Sequence, residues 1–407
     1  MLFIHFWERQ TIFRHISLLN LNRDSFTNFA TGREKTVPDV ITALLGPRDY
    51  PTDGIEDYCL WLRQALARRG VALQLVRVPW AEKGWFYALR WLWQEARAWR
   101  EQWVLVQYTA LSWSRRGFPI GLLPVLEILR GRKCRLGIVY HDASGYIGHR
   151  LIDRLRRRVQ HQVMRLACQW VERAISPVPL EALDWLPISE RRKVSVIPVG
   201  PNIPEGTGEA RWDREEKVVA VFGVTGGENI PKEVADIAFA THKAAKRLRG
   251  KGKKLRLVVL GRGSEEAEAA LRQSINGNEV SLSVLGLLPA EEITRTLSQA
   301  DALLFVRGHV SGRRTTAIAG IACGLPVVGY SGKETGFPIT EAGVLLVPQG
   351  DREALAEALT RVLTDANLWW ELHQRSKEAH RFYFSWDAIA KRFLEVLDKC
   401  KETNIES

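Results

Sequence analysis

No run of about 18 uncharged apolar residues occurs anywhere in the 407 residues, so no segment is expected to span a bilayer. A Cys-x-x-Cys pair is also missing. The five cysteines, Cys59, Cys134, Cys168, Cys323 and Cys400, are scattered and odd in number. That argues for reduced thiols in a cytoplasmic compartment and against a structural zinc site. The opening stretch Met1–Leu19 has no uninterrupted apolar core, because Glu8, Arg9 and Arg14 fall inside it, and it does not read as a signal peptide. Acidic residues run short in one half only. Residues 1–200 hold 30 Lys+Arg against 18 Asp+Glu, whereas residues 201–407 hold 28 of each, so the whole net charge of +12 sits in the first half. So do 11 of the 15 tryptophans. This asymmetry points to an anionic partner for the first half (a membrane surface, a charged acceptor or nucleic acid) or else to a solvated basic face. No sequence module for nucleic acid is visible, which makes that partner the weakest of the three.

What is present is a regular alternation. With 46% hydrophobic residues, the length suits two domains of about 150–200 residues each. Asp39–Leu45 is a short apolar run of the kind that makes a buried parallel strand. Gly54–Arg69 places Ile55, Tyr58, Leu62 and Leu66 on one helical face, Gly70 ends that helix, and Val71–Val78 is the next strand. Trp103–Tyr108, Arg135–Tyr140, Arg173–Ser176 and Val194–Ile197 continue the strand series. Pro198–Asp213, rich in Pro, Gly and Glu, reads as a linker. The alternation restarts with strands at Lys217–Phe222, Leu255–Leu260, Val280–Leu285, Ala302–Val306, Pro326–Tyr330 and Val344–Val347. Helices fall between them, among them Arg314–Cys323, and three more close the chain from Arg352 to Lys399. The pattern predicts an α/β protein of two doubly wound, Rossmann-like parallel sheets, with a cleft facing the carboxyl ends of the strands.

Particular segments go further. Thr52-Asp53-Gly54-Ile55-Glu56-Asp57-Tyr58 is followed by Leu66-Ala67-Arg68-Arg69-Gly70; His141-Asp142 follows a strand; Val196-Ile197-Pro198-Val199-Gly200 precedes the linker. Later come Val258-Val259-Leu260-Gly261-Arg262-Gly263, Leu285-Gly286, Ala300-Asp301-Ala302, Ala322-Cys323-Gly324-Leu325-Pro326-Val327-Val328, Ala342-Gly343-Val344-Leu345-Leu346-Val347-Pro348 and Phe384-Ser385-Trp386. In this order and spacing, from Val37 to Leu397, they resemble the family 4 glycosyltransferases, which have the GT-B fold. Residues 1–36, with weak periodicity and no clear strand, read as a poorly defined extension or an over-long start. The resemblance implies an acceptor-side domain over 37–205, a nucleotide-sugar domain over 206–382, and a helix over 383–407 that returns to the first domain.

It also implies a metal-independent, retaining transferase with no cofactor beyond a UDP-, GDP- or ADP-sugar co-substrate. A lipid-linked or saccharide acceptor and a cytoplasmic place, peripheral on the inner face of the membrane, would go with it. His141 with Asp142 would meet the transferred sugar, although a histidine at a strand end is also a common satisfied polar group. Gly286, Leu287 and Arg262 would face the base and ribose, and Asp53 with Gly54 the acceptor. The chain departs from the family at three positions. Counted back from Cys323-Gly324, the two glutamates that the family places eight residues apart fall on Ser311 and Ala319. The arginine that follows the first strand of the second domain gives way to Gly223-Val224-Thr225-Gly226-Gly227, with Lys232 a few residues on.

In their place stands Ser311-Gly312-Arg313-Arg314-Thr315-Thr316 at a helix start. Free N–H groups, the positive dipole end and two guanidiniums suit a diphosphate there, so Gly312, Arg313, Arg314, Thr315, Thr316 and Lys232 are its expected ligands. Two solvated arginines beside a helix cap would look the same in sequence. In the helix Leu151–Trp170, Ile152, Leu155, Val159, Val163, Leu166 and Trp170 form an apolar stripe, and arginines fill the other faces. The stripe either packs on the sheet or lies on an anionic membrane. Trp80, Trp85, Trp91, Trp93, Trp99 and Trp103 are core, acceptor platform or interface anchors. A non-catalytic GT-B scaffold is the alternative to the enzyme.

Overall fold

The computed structural model describes residues 39–49, 53–148, 150–206 and 212–398; the expected extension 1–36 and part of the expected linker lie outside them. The first half runs β1 (Val40–Leu45), α1 (Gly54–Ala67), β2 (Ala72–Arg77), α2 (Trp80–Lys83), α3 (Trp85–Glu95), β3 (Trp103–Tyr108), α4 (Leu122–Gly131), β4 (Arg135–Tyr140), α5 (Leu151–Trp170), β5 (Arg173–Ser176) and β6 (Val194–Val196). The second runs β7 (Glu216–Phe222), α6 (Ile230–Arg249), β8 (Lys254–Leu260), α7 (Ser264–Ser274), β9 (Val280–Gly286), α8 (Ala290–Ser298), β10 (Ala302–His309), α9 (Thr315–Ala322), β11 (Val327–Tyr330), β12 (Val344–Val347), α10 (Arg352–Thr364), α11 (Ala366–Ala379) and α12 (Trp386–Asp398).

All strand pairs are parallel, in two six-stranded sheets ordered β2-β1-β3-β4-β5-β6 and β12-β11-β10-β7-β8-β9. The strands are short apolar runs because helices cover both faces of each sheet; all six residues of β3 are buried. Each sheet reverses its winding once. In the first, the chain steps from β1 out to β2 and then back to β3 on the other side of β1. In the second it moves from β7 to β8 and β9, then returns to β10 on the other side of β7. Loops leave such a switch point in opposite directions, so a crevice opens between β1 and β3 and another between β7 and β10.

The tryptophan cluster is chiefly core. Trp80, Trp99 and Trp103 are buried, Trp80 stacks on Trp85 at 4.9 Å, and Trp85 and Trp91 pack against the same core. Trp93 alone of the six is exposed, with Arg132 over its ring at 3.5 Å. One further core runs through both halves, and Trp386 of α12 belongs to it. Its ring stacks parallel to Trp61 of α1, its Nε1 donates to Pro201 O at 2.8 Å, and Asp387 pairs with Arg69 at 2.7 Å. No helix among the described residues is long and apolar enough to cross a membrane.

Candidate functional site

The switch point of the first sheet holds a cavity of about 750 Å3, lined by the loops after β1 and β3, by His141 and Asp142 after β4, and by Arg313 and Thr315 from the second half. His141 is set by β3. Gln107 is the one amide side chain in that strand; its Nε2 donates to Leu105 O at 3.1 Å, which leaves its Oε1 facing His141 Nε2 at 2.8 Å. The imidazole therefore carries its proton on Nε2, and Nδ1 is its acceptor. Burial against Tyr58, whose ring meets it edge-on at 4.8 Å, pushes the His141 pKa down to about 4. The ring is neutral at pH 7. Burial, ahead of the neighbouring Glu334, raises the Asp142 carboxyl above its usual range, against the pull of Arg313.

Asp53 lines the same cavity, but its carboxylate is already engaged. Oδ1 accepts the N–H groups of Ile55 and Glu56 at 3.1 Å each, capping α1, and Oδ2 accepts Arg77 at 2.9 Å and the Asp49 N–H at 3.4 Å. Burial works against its charge, yet these bonds hold its carboxyl below the ordinary range. Gly54 opens α1 beside it, exposed at the cavity wall.

The second switch point gathers arginines. β10 continues beyond the apolar run that the sequence marks, through Arg307 to His309, with an irregular register after Phe305. Such an irregularity re-aims a side chain. Arg307 lies over the loop after β7, where a Cβ on Gly223 would come within 2.7 Å of its Nη1. Gly223 also has φ +85°, so a side chain there meets both obstacles. A guanidinium thus reaches this loop from β10, although the loop itself carries no arginine. Arg314 precedes α9 and adds a second. Arg307 Nε and Arg314 Nε are buried and make no hydrogen bond among the described residues. Burial disfavours both cations; Arg262 adds to this at Arg307, as Arg313 and Arg307 do at Arg314. Glu233 is the counter-charge they share, and it is occupied by the Thr225 N–H at 2.8 Å.

Thr315 and Thr316 form the half-buried first turn of α9. Lys232 is exposed on the first turn of α6, where its neighbour Glu233 turns in towards the loop. Gly286, at φ +67°, accepts the Gly261 N–H at 2.6 Å, which joins the ends of β8 and β9; Leu287 beyond it is exposed, as is Arg262.

Arg313 and Gly312 are used differently from Arg314. Arg313 makes a two-pronged pair with buried Glu334, Nε to Oε2 at 2.6 Å and Nη2 to Oε1 at 3.1 Å. His309 Nε2 reaches the same carboxylate at 3.2 Å, and the Ser144 hydroxyl donates to it from the first half. Gly312 O accepts the Val199 N–H at 2.8 Å, and Pro177 O leaves no room for a Cβ on Gly312. Ser311 and Ala319, where the family's glutamates would fall, are both buried, and Ser311 Oγ has no partner among the described residues.

Sequence reasoning missed Arg307, Gln107 and Glu334. The first two left a trace: an Arg-Gly closing an apolar strand, and a single amide inside one. Glu334 left none. No cluster of three or more His, Cys, Asp or Glu that could hold a metal occurs among the described residues.

Residues 221–365 match the family model described as glycosyl transferases group 1. An alignment 148 positions long is 30% identical to the amylovoran biosynthesis glycosyltransferase AmsK of Erwinia amylovora; it covers 32% of this chain and 36% of that one, so the match spans about a third of the relative's length. Among solved structures, the chain is similar to HepE of Anabaena in complex with UDP and glucose, with TM-score 0.56 and 14% identity over 88% of this chain and 99% of that one. It is also similar to sucrose-phosphate synthase of Thermosynechococcus elongatus, with TM-score 0.60 and 18% identity over 89% and 98%. At these identities the likeness establishes the fold, which is GT-B.

Proposed function

We propose that the chain is a retaining, metal-independent glycosyltransferase of polysaccharide or glycolipid biosynthesis. It would move a hexosyl group from a UDP-, GDP- or ADP-sugar, held at the β7/β10 switch point, to a lipid-linked or saccharide acceptor in the β1/β3 cavity. One observation carries the reading. Two guanidiniums, Arg307 and Arg314, converge with buried, unpartnered Nε atoms inside the segment that matches the glycosyl transferase model. Crowded cations with orphan donors are costly unless an anion completes them, and charge-assisted bonds to phosphate oxygens would do so. The name of the Erwinia relative supports glycosyl transfer in polysaccharide biosynthesis, and the UDP and glucose in the HepE complex support the donor class. Catalysis at such a site is mainly positioning plus stabilisation of the departing diphosphate charge. Arg307 and Arg314 take the second role in place of a divalent ion, and neutral His141 faces the sugar.

The test is calorimetry with UDP, GDP and ADP. One of them is expected to bind, and Arg307→Ala or Arg314→Ala to weaken that binding by about ten- to a hundredfold, since a charged hydrogen bond contributes about 1.5–3 kcal/mol and one decade is about 1.4 kcal/mol. Arg313→Ala should act chiefly on stability, because its guanidinium is committed to Glu334. Silence from all three diphosphates sinks the reading. It would favour a non-catalytic scaffold, which the uncharged Ser311 and Ala319 suggest on their own.

A further inference from the structure

The first two turns of α5 do not pack the stripe that the helix sequence displays, although Val159, Val163 and Trp170 further along it pack against the core. Leu151, Ile152 and Leu155 in its first two turns are 81%, 46% and 52% exposed, and Ile147 just before them is 76% exposed. Leu151 and Leu155 are one turn apart and share a face, with Ile152 on its shoulder. The buried side of these turns belongs to polar groups instead. Asp153 accepts the Arg150 N–H at 3.2 Å and Arg156 Nη1 at 2.9 Å. Gln160 accepts the Tyr146 N–H at 2.6 Å and donates to Gly117 O at 2.7 Å. These bonds fix the rotation of the helix, so the aliphatic side chains cannot roll inward without breaking buried hydrogen bonds.

The charge around this face is of one sign. Between residues 144 and 158 the chain has five arginines and a single acid, Asp153, which is buried and paired with Arg156. Arg154 and Arg158 are exposed and flank the Leu151/Leu155 row. Tyr146, next to Ile147, and Arg156, one turn on from Ile152, line the β1/β3 cavity together with the exposed Arg115 and Arg116.

We propose that the first two turns of α5, with Ile147, form a docking face for an anionic lipid bilayer, seating the mouth of the β1/β3 cavity at the headgroups. Aliphatic side chains enter the headgroup–acyl boundary while arginines alongside meet phosphate, the arrangement of an interfacial amphipathic helix. The consequence for the acceptor rests on the transferase reading: the cavity receives an acceptor delivered from the bilayer, with Arg115 and Arg116 placed to meet its phosphate.

Co-sedimentation with vesicles decides it. The parent chain is expected to bind phosphatidylcholine vesicles carrying about 30% phosphatidylglycerol far better than phosphatidylcholine alone, and to lose most of that binding in high salt. The triple variant Leu151→Gln, Ile152→Gln, Leu155→Gln and the double variant Arg154→Gln, Arg158→Gln should each weaken partitioning by about tenfold or more. Phe382→Gln, at an exposed aromatic elsewhere on the chain, should not. All of these positions are exposed, so melting temperatures should stay near the parent's. Equal binding to both vesicle types, or α5 variants that bind like the parent, overturns the proposal. So does a dimer of the parent chain that the α5 variants dissolve, which would make a second copy the occupant. Nucleoside-diphosphate affinity, measured on the same variants, reads the second half separately; its persistence leaves the transferase reading standing whatever the vesicles report.

Discussion

Arg313 and Arg314 are adjacent in the chain and end in opposite electrostatic company. The first is clamped by Glu334 and the second keeps a buried Nε without a partner. No periodicity in a six-residue segment distinguishes them, because the distinction depends on a carboxylate 21 positions beyond Arg313. His141 is a different case. Its place after an apolar strand makes it a candidate, but its tautomer is set by Gln107 and its neutrality by burial. With the pKa lowered to about 4, the ring stays neutral from pH 5 to 8. The pH–rate profile should then show no inflection near 6.5 from this residue. His141→Ala should lower turnover by more than about tenfold while leaving nucleotide affinity nearly unchanged. Parental turnover in that variant would return His141 to a satisfied polar residue of the core.

Most elements can be read in the sequence because their physics is local. Runs such as Trp103–Tyr108 and Val344–Val347 are short, apolar and flanked by helical periodicity, and they form strands at those residues. Two elements differ in instructive ways. β10 extends to His309 because backbone pairing with β11 resumes after an irregularity, whatever the side chains of Arg307 and Gly308. The first two turns of α5 leave Ile152 and Leu155 outside because the hydrogen bonds of Asp153 and Gln160 take the inner side, while Val163 of the same stripe is buried. α1 shows the same priority on a smaller scale: Asp53, expected to meet the acceptor, spends its carboxylate on the helix start and on Arg77. Asp53→Ala should cost about 1–2 kcal/mol in chemical denaturation, with Arg77 left to Glu56 and Gly46 O. If stability is unchanged, the cap is not holding this end of the helix.

At the scale of the whole molecule, polar links join the two halves in two places. At α12, Arg69 pairs with Asp387 and Trp386 donates to Pro201 O; beside the site, the Ser144 hydroxyl meets Glu334, Lys333 meets Asp184, and Val199 donates to Gly312 O. Glu334 is the hub. Burial alone would raise its pKa, but His309, Arg313 and Ser144 together hold the carboxyl well below its usual 4.5. A carboxyl depressed in the folded state contributes stability that is fully present above pH 4.5 and is lost as the pH falls below it. The unfolding free energy should therefore drop on acidification below that point, and Glu334→Gln should flatten the drop. Glu334→Ala should cost about 3–5 kcal/mol, because it leaves Arg313 half-buried and unpaired. An acid limb as steep in Glu334→Gln as in the parent would deny Glu334 this role.

Alternating apolar runs and helical stripes determined by themselves that the chain builds two parallel sheets, since a strand covered by helices on both faces has little choice but to be continuously apolar. Gly261, Gly263 and Gly286 stand in segments that carry the family resemblance, and all three take the positive φ that glycine permits. The site was not determined in that way. Its cations come from β10 and the start of α9, its clamp from Glu334, and its histidine's protonation from Gln107. These residues are separated in sequence and meet only because both sheets reverse at their switch points. Coulomb forces and hydrogen bonds depend on distance in space, and only the tertiary structure sets those distances.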